Sequence, residues 1–168
     1  MDSIELRTFT RDEYHAFFRG YRSDPLMDPV PFRYNREQID RSYVYNHSGC
    51  RPDYAHFGIF LGDKPVGSFQ LKRIDPEKKR CEFGIILQND LVKNRGIGSE
   101  AIREGMCIAR DLYGMEEILG DTMGVNQRMI RVFEKLGFRR IETVPNAFEL
   151  HDGRKADRLV FLKKLTEE

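Results

Sequence analysis

Lys93-Asn94-Arg95-Gly96-Ile97-Gly98-Ser99 is the stretch on which the fold turns. On its N-terminal side, Arg80–Gln88 is rich in β-branched and aromatic residues, as a strand is. On its C-terminal side Ala101, Ile102, Met106, Ala109 and Leu112 recur at helical spacing. A loop with two glycines therefore joins a strand to a helix. Glycine permits positive φ and lets the backbone approach a ligand closely. The first amides of a helix have no intrahelical acceptor, and the helix dipole puts partial positive charge at that end. Such a mouth suits a phosphate or diphosphate, with Lys93 and Arg95 able to add charge nearby. The same residues would also serve as a tight strand-to-helix turn with no ligand.

Two other nucleotide motifs compete for this loop. A P-loop needs G-x-x-x-x-G-K-[ST], and no glycine here is followed by Lys and then Ser or Thr. The Rossmann fingerprint comes closer, because Gly96-Ile97-Gly98-Ser99-Glu100-Ala101 satisfies G-x-G-x-x-A and Glu116 falls near the ribose-binding position. That motif follows its strand directly, however, whereas Asn89–Asn94 intervenes here. The strands upstream, Tyr54–Leu61, Val66–Ile74 and Arg80–Gln88, are separated only by Gly62-Asp63-Lys64-Pro65 and Asp75-Pro76-Glu77-Lys78. Turns that short connect antiparallel neighbours, since parallel strands need a crossover of a dozen residues or more. A β-meander is expected, and too little chain remains for the second half of a doubly wound sheet.

Further out, Ile4–Phe9 alternates as a half-buried strand, and Thr10 with Glu13 reads as a capping box for a helix to about Tyr21. Pro25, Pro29 and Pro31 make Asp24–Phe32 a loop, and Asn35 caps a thinly amphipathic helix to about His47. After Gly114, read as a helix C-cap, the pattern gives a strand at Glu117–Met123, a helix at Asn126–Leu136 and a strand at Phe138–Val144. His151-Asp152-Gly153-Arg154 signals a hairpin before a last strand at Asp157–Leu162. The expectation is one α/β domain of α+β type over residues 1–168: a single mixed, mostly antiparallel twisted sheet flanked by helices.

Composition narrows the function classes. With 28 basic and 27 acidic side chains interspersed, the net charge of +1 gives no field favouring nucleic acid or an anionic membrane. The first residues carry acids and no apolar run of signal-peptide length, and no stretch approaches the ~18 apolar residues of a membrane span. Three cysteines (Cys50, Cys81, Cys107) and four dispersed histidines suggest neither a disulfide framework nor a metal cluster. A cytoplasmic protein without a metal is expected.

The element order and the K-x-x-G-x-G loop resemble the GNAT superfamily of N-acetyltransferases, whose signature here is [QR]-x-x-G-x-[GA]; Lys93 stands at the Gln/Arg position. Downstream, Asn126-Gln127-Arg128-Met129 through Phe133-Glu134-Lys135-Leu136-Gly137-Phe138 is similar to the family pattern N-x-x-[SA]…[YF]-E-K-x-G-F. The resemblance implies a GNAT-like acyl-CoA N-acyltransferase fold and acetyl-CoA as acetyl donor. It is nearest to the branch that acetylates protein N-terminal amines, with relatives acting on polyamines. It assigns CoA contacts to Ile86, Leu87, Lys93, Asn94, Arg95, Gly96, Ile97, Gly98, Ser99, Asn126 and Phe133, with the strand at Arg80–Gln88 pairing with the pantetheine arm as an added strand does. The acceptor would be a primary amine, on a protein N-terminus or a small molecule; a homodimer is left open.

Acetyl transfer needs a neutral amine and a polarised carbonyl. An α-amine has a pKa of about 7.7–8.0 and a lysine-like amine about 10.4, so the second needs more help in losing its proton. By resemblance Glu82, sixteen residues before Gly98, is the candidate base, and the Ile86 N–H the candidate oxyanion donor. Their plain alternatives are a cross-strand charge partner and a buried strand residue. Many relatives carry a tyrosine where this chain has Phe133, and a small or hydroxyl residue where it has Met129. Phenylalanine cannot donate a proton, so Tyr113 and neighbouring tyrosines are substitutes by type. A family member that binds acyl-CoA as a sensor is the alternative reading. His56 is read as a satisfied or exposed histidine, and Cys81 and Cys107 as small core residues.

Overall fold

The computed structural model describes residues 3–24 and 30–166. Pro25, Asp28 and Pro29 of the expected loop lie outside the described residues. Seven strands form one sheet in the order β1-β2-β3-β4-β5-β7-β6. Strands β1 (Ile4–Arg7), β2 (Ala55–Leu61), β3 (Lys64–Asp75) and β4 (Arg80–Leu87) run antiparallel in sequence, the meander that the two tight turns require. Helix α3 (Ile97–Asp111) then crosses over, so β5 (Glu117–Met123) lies parallel to β4. After α4 (Gln127–Lys135) the hairpin of β6 (Arg139–Glu149) and β7 (Lys155–Lys164) returns with β7 beside β5 and β6 at the edge.

Capping follows the sequence closely. Thr10 Oγ1 accepts from the Glu13 N–H at 3.2 Å, and the Glu13 carboxylate accepts from the Thr10 N–H at 2.9 Å, which starts α1 (Arg11–Gly20). Asn35 caps α2 (Arg36–His47) through the Gln38 N–H, and Ile39 is the buried residue of that thin helix. Two departures concern the ends of elements. Helix α3 caps at Leu112, and Gly114 adopts its positive φ two residues later, where the Met115 N–H turns back to the Ala109 carbonyl. Strand β6 continues past Val144 to Glu149: its register shifts between Val144 and Phe148, with Asn146 at φ 54°. Pro145 carries no ladder N–H, and an edge position tolerates that as an irregularity in place of a strand end.

Side chains sort onto two faces. Phe69, Phe83, Ile118, Phe133 and Phe161 pack with α3 and α4 into the main core, joined by Ile85 and Leu87. Phe9, Tyr14, Phe17, Tyr21, Ile39 and Phe60 form a second, aromatic core under α1 and α2, joined by Ile86. Neighbours on β4 therefore look to opposite faces, as strand alternation demands.

Candidate active site

The Asn89 side chain accepts from the Leu91 N–H and closes a single 3-10 turn over Asp90–Val92, which carries the chain from β4 to the glycine loop. Asn94 and Gly96 both have positive φ (60° and 77°), so the loop turns sharply into α3. Glu100 is the first residue of that helix whose N–H finds a carbonyl, that of Gly96 at 3.1 Å. Among the described residues the amides of Ile97, Gly98 and Ser99 have no backbone acceptor outside regular ladders. A Cβ built on Gly96 or on Gly98 would meet nothing within 4 Å. The mouth of α3 is thus an open cradle of free donors, which fits an anionic diphosphate.

The second half of the site is an unpaired strand edge. Strand β4 stays in register with β3 from Glu82 to Leu87, yet it pairs with β5 only from Arg80 to Glu82. Beyond that point β5 continues along β7 to Met123, so the two parallel strands part and leave the Phe83–Leu87 edge exposed toward the gap. The Gln88 N–H donates to the Val66 carbonyl at 2.8 Å, and the ladder runs from there without a shift to Glu82. Antiparallel alternation then directs the Ile86 N–H at Ser68, its partner, and turns the amides of Ile85 and Leu87 toward the gap. This corrects the expected oxyanion donor: Ile86 borders the site, but its N–H belongs to the β3 ladder.

Mouth and edge converge on one cavity of about 180 Å³. Ile86, Leu87, Lys93, Asn94, Gly96, Ile97, Gly98, Ser99 and Asn126 all line it. Asn126 is buried and its Oδ1 accepts from the Met129 N–H at 3.1 Å, fixing the start of α4 beside the gap. Lys93 is held by Asp24 at 2.9 Å and Asp90 at 3.1 Å, so its charge is largely matched within the protein. Arg22 and Arg128, which sequence reasoning passed over, line the cavity and bring cations from beyond the end of α1 and from α4. Their signal was faint, because neither falls in a motif position with a stated charge.

Three expected residues stand elsewhere. Arg95 does not line the cavity. Phe133 is fully buried in the main core, stacked on Phe161 with centroids 4.3 Å apart. Glu82 makes two contacts to Arg73, at 3.0 and 3.2 Å, and lines a niche of about 10 Å³ with Asp121 and Arg158. Tyr113 lies past the far end of α3, whereas Tyr21 and Ser99 are among the residues that line the main cavity. Cys81 is buried, and burial pushes its thiol up to about 12, which makes it an inert core residue, whereas Cys107, also expected in the core, is exposed on α3. A second cavity of about 220 Å³ opens in the gap itself, between β4 and β5, and shares Ile85 and Met129 with the first.

A sheet parted between two parallel strands, with a helix mouth beside the opening, defines the acyl-CoA N-acyltransferase fold. The chain belongs to the GNAT acetyltransferase family: the model of the Acetyltransferase (GNAT) domain matches residues 3–139. Among solved structures it is similar to a spermidine N-acetyltransferase SpeG chimera from Vibrio cholerae and hSSAT, at TM-score 0.85 and 16% identity over 97% of this chain and 96% of that one. It is similar to the same degree to RimL, a ribosomal L7/L12 alpha-N-protein acetyltransferase in complex with coenzyme A, at TM-score 0.84 and 16% identity over 98% and 95%. A putative acetyltransferase from T. thermophilus superposes at TM-score 0.76, with 20% identity over 98% and 87%. No curated protein sequence matches the chain. Among the described residues no group of three His, Cys, Asp or Glu could hold a metal, and no helix is long and apolar enough to cross a membrane.

Proposed function

We propose that this protein transfers an acetyl group from acetyl-CoA to a primary amine, on a protein N-terminus or a small molecule, by direct attack of the amine. The observation that carries the reading is the convergence, in one cavity, of the free amides of Ile97–Ser99 with the unpaired β4 edge. The α3 mouth, with Arg22 and Arg128, would hold the diphosphate; the Ile85 and Leu87 amides and Asn126 would hold the pantetheine arm. Bound acetyl-CoA supplies an activated thioester. Of the two amides facing the gap, that of Leu87 or Ile85 takes the oxyanion role in place of Ile86. Two carboxylates, Glu82 and Asp121, stand near the gap as candidates to receive the amine's proton. A thiolate with a free pKa near 8.5 leaves without a protein acid, which is consistent with Phe133 in the core.

The test is thiol release from acetyl-CoA across a panel of amines and N-terminal peptides. The reading expects acceptor-dependent thiol release with at least one class and a product heavier by one acetyl group. Tight acetyl-CoA binding with no release for any acceptor would favour an acyl-CoA-binding module.

A further inference from the structure

The second cavity places one carboxylate among apolar walls. It sits in the gap where β4 and β5 part, and its apolar walls are Phe83 and Ile85 from β4, Met123 from β5, Met129 from α4 and Phe148 from β6. Asp121, on β5 and exposed, is its single ionisable lining residue among the described residues. Arg158 Nε donates to Asp121 Oδ2 at 2.6 Å, which fixes the carboxylate's rotamer; among the described residues Oδ1 accepts no hydrogen bond. Glu82 lies one niche away, outside this cavity, where the single Nη1 of an exposed Arg73 reaches both its oxygens.

Resting on the acetyltransferase reading above, we infer that Asp121 is the group that binds the acceptor amine and takes its proton, and that the acceptor is a primary amine carrying one positive charge next to an apolar group. An ammonium reaching the gap finds one carboxylate with one open oxygen. Around it the walls are two phenylalanines, two methionines and an isoleucine, which favour an apolar flank. A polyamine would bring further ammonium groups against those apolar walls, where among the described residues the lining offers no second carboxylate to meet them.

The ammonium gives one proton to Asp121 Oδ1, directly or through a water, and Asp121 passes it to solvent. The neutral nitrogen's lone pair attacks the thioester carbonyl carbon, forming the C–N bond. The C–S bond breaks with its electron pair going to sulfur, and the nitrogen's second proton ends on the thiolate. One proton is released to solvent per amide and thiol formed.

The experiment measures steady-state kinetics and calorimetric acceptor binding on the CoA-loaded protein, using a peptide with N-terminal methionine, phenethylamine and spermidine. The inference expects kcat/KM for the two apolar-flanked amines to exceed that for spermidine at least about tenfold. Asp121→Asn should lower kcat/KM by ~100-fold or more and weaken acceptor binding, while CoA affinity stays within about twofold. Asp121→Glu should recover part of the loss, which guards against a variant that merely unfolds. Spermidine preference, or an Asp121→Asn variant with turnover and acceptor binding like the parent, would overturn the inference while leaving the acetyltransferase reading intact. A parent protein that binds no CoA would overturn both.

Discussion

His56 sits on β2 with Nε2 2.6 Å from Ser68 Oγ, enclosed by the rings of Phe9, Tyr14, His47 and Tyr54. Its Nδ1 has no hydrogen-bond partner among the described residues. Burial, reinforced by the nearby His47 and Arg51, lowers its pKa to about 3. The folded state thus holds the imidazole neutral, while an unfolded chain protonates it near its ordinary value of about 6.5. Since the folded pKa is depressed, the stability is complete above the unfolded value and is lost as pH falls from about 6.5 toward 3, by up to roughly 1.4 kcal/mol per pH unit. Denaturant unfolding between pH 7 and 4 should show this slope, and His56→Gln should flatten it; a parent protein equally stable at both pH values would contradict it. A structural histidine here was legible from sequence, because an isolated His in an apolar strand has no ligand spacing. Its Ser68 partner was not, since pairing depends on the β2–β3 register.

At the scale of elements, α3 is held against the sheet by a close approach at Gly105. A Cβ there would stand 2.2 Å from Cζ of Phe69, the ring that stacks on Phe83. Gly105→Ala should therefore destabilise by about 1–3 kcal/mol, or roughly 2–4 °C in Tm for each kcal/mol. A calorimetric scan checks this, and an unchanged Tm would show that α3 has room to move away. The order of elements and the meander could be read in advance, because short Gly/Pro turns leave antiparallel pairing as the only connection. The glycine loop could be read for the same local reason. What sequence did not carry is non-local. The parting of β4 from β5 after Glu82, the side on which each β4 amide falls, and the meeting of Asp121 with Phe148 all depend on pairing between strands distant in the chain. Ile86 illustrates the difference: a count from the loop brings the residue to the site, while only the ladder tells which way its N–H points.

For the whole molecule, the proposed function rests on one region: a strand edge and a helix mouth whose donors border a shared cavity. A ligand that spans both should stabilise the entire fold, since β4 and α3 are packed into the same core. Binding only to the native state contributes ~2.7 kcal/mol at a ligand concentration of 100 Kd, which corresponds to a rise of roughly 5–10 °C in Tm for a chain of this size. Gly98→Val gives the matched control: a side chain there meets no protein atom at its Cβ, so the fold should persist while the cradle is filled. The decisive measurement is the melting temperature of the parent and of Gly98→Val with acetyl-CoA and with NADH. The expected result is a rise for the parent with acetyl-CoA alone and little or none for the variant; no rise in the parent, or an equal rise in both, would contradict the assignment of the cradle.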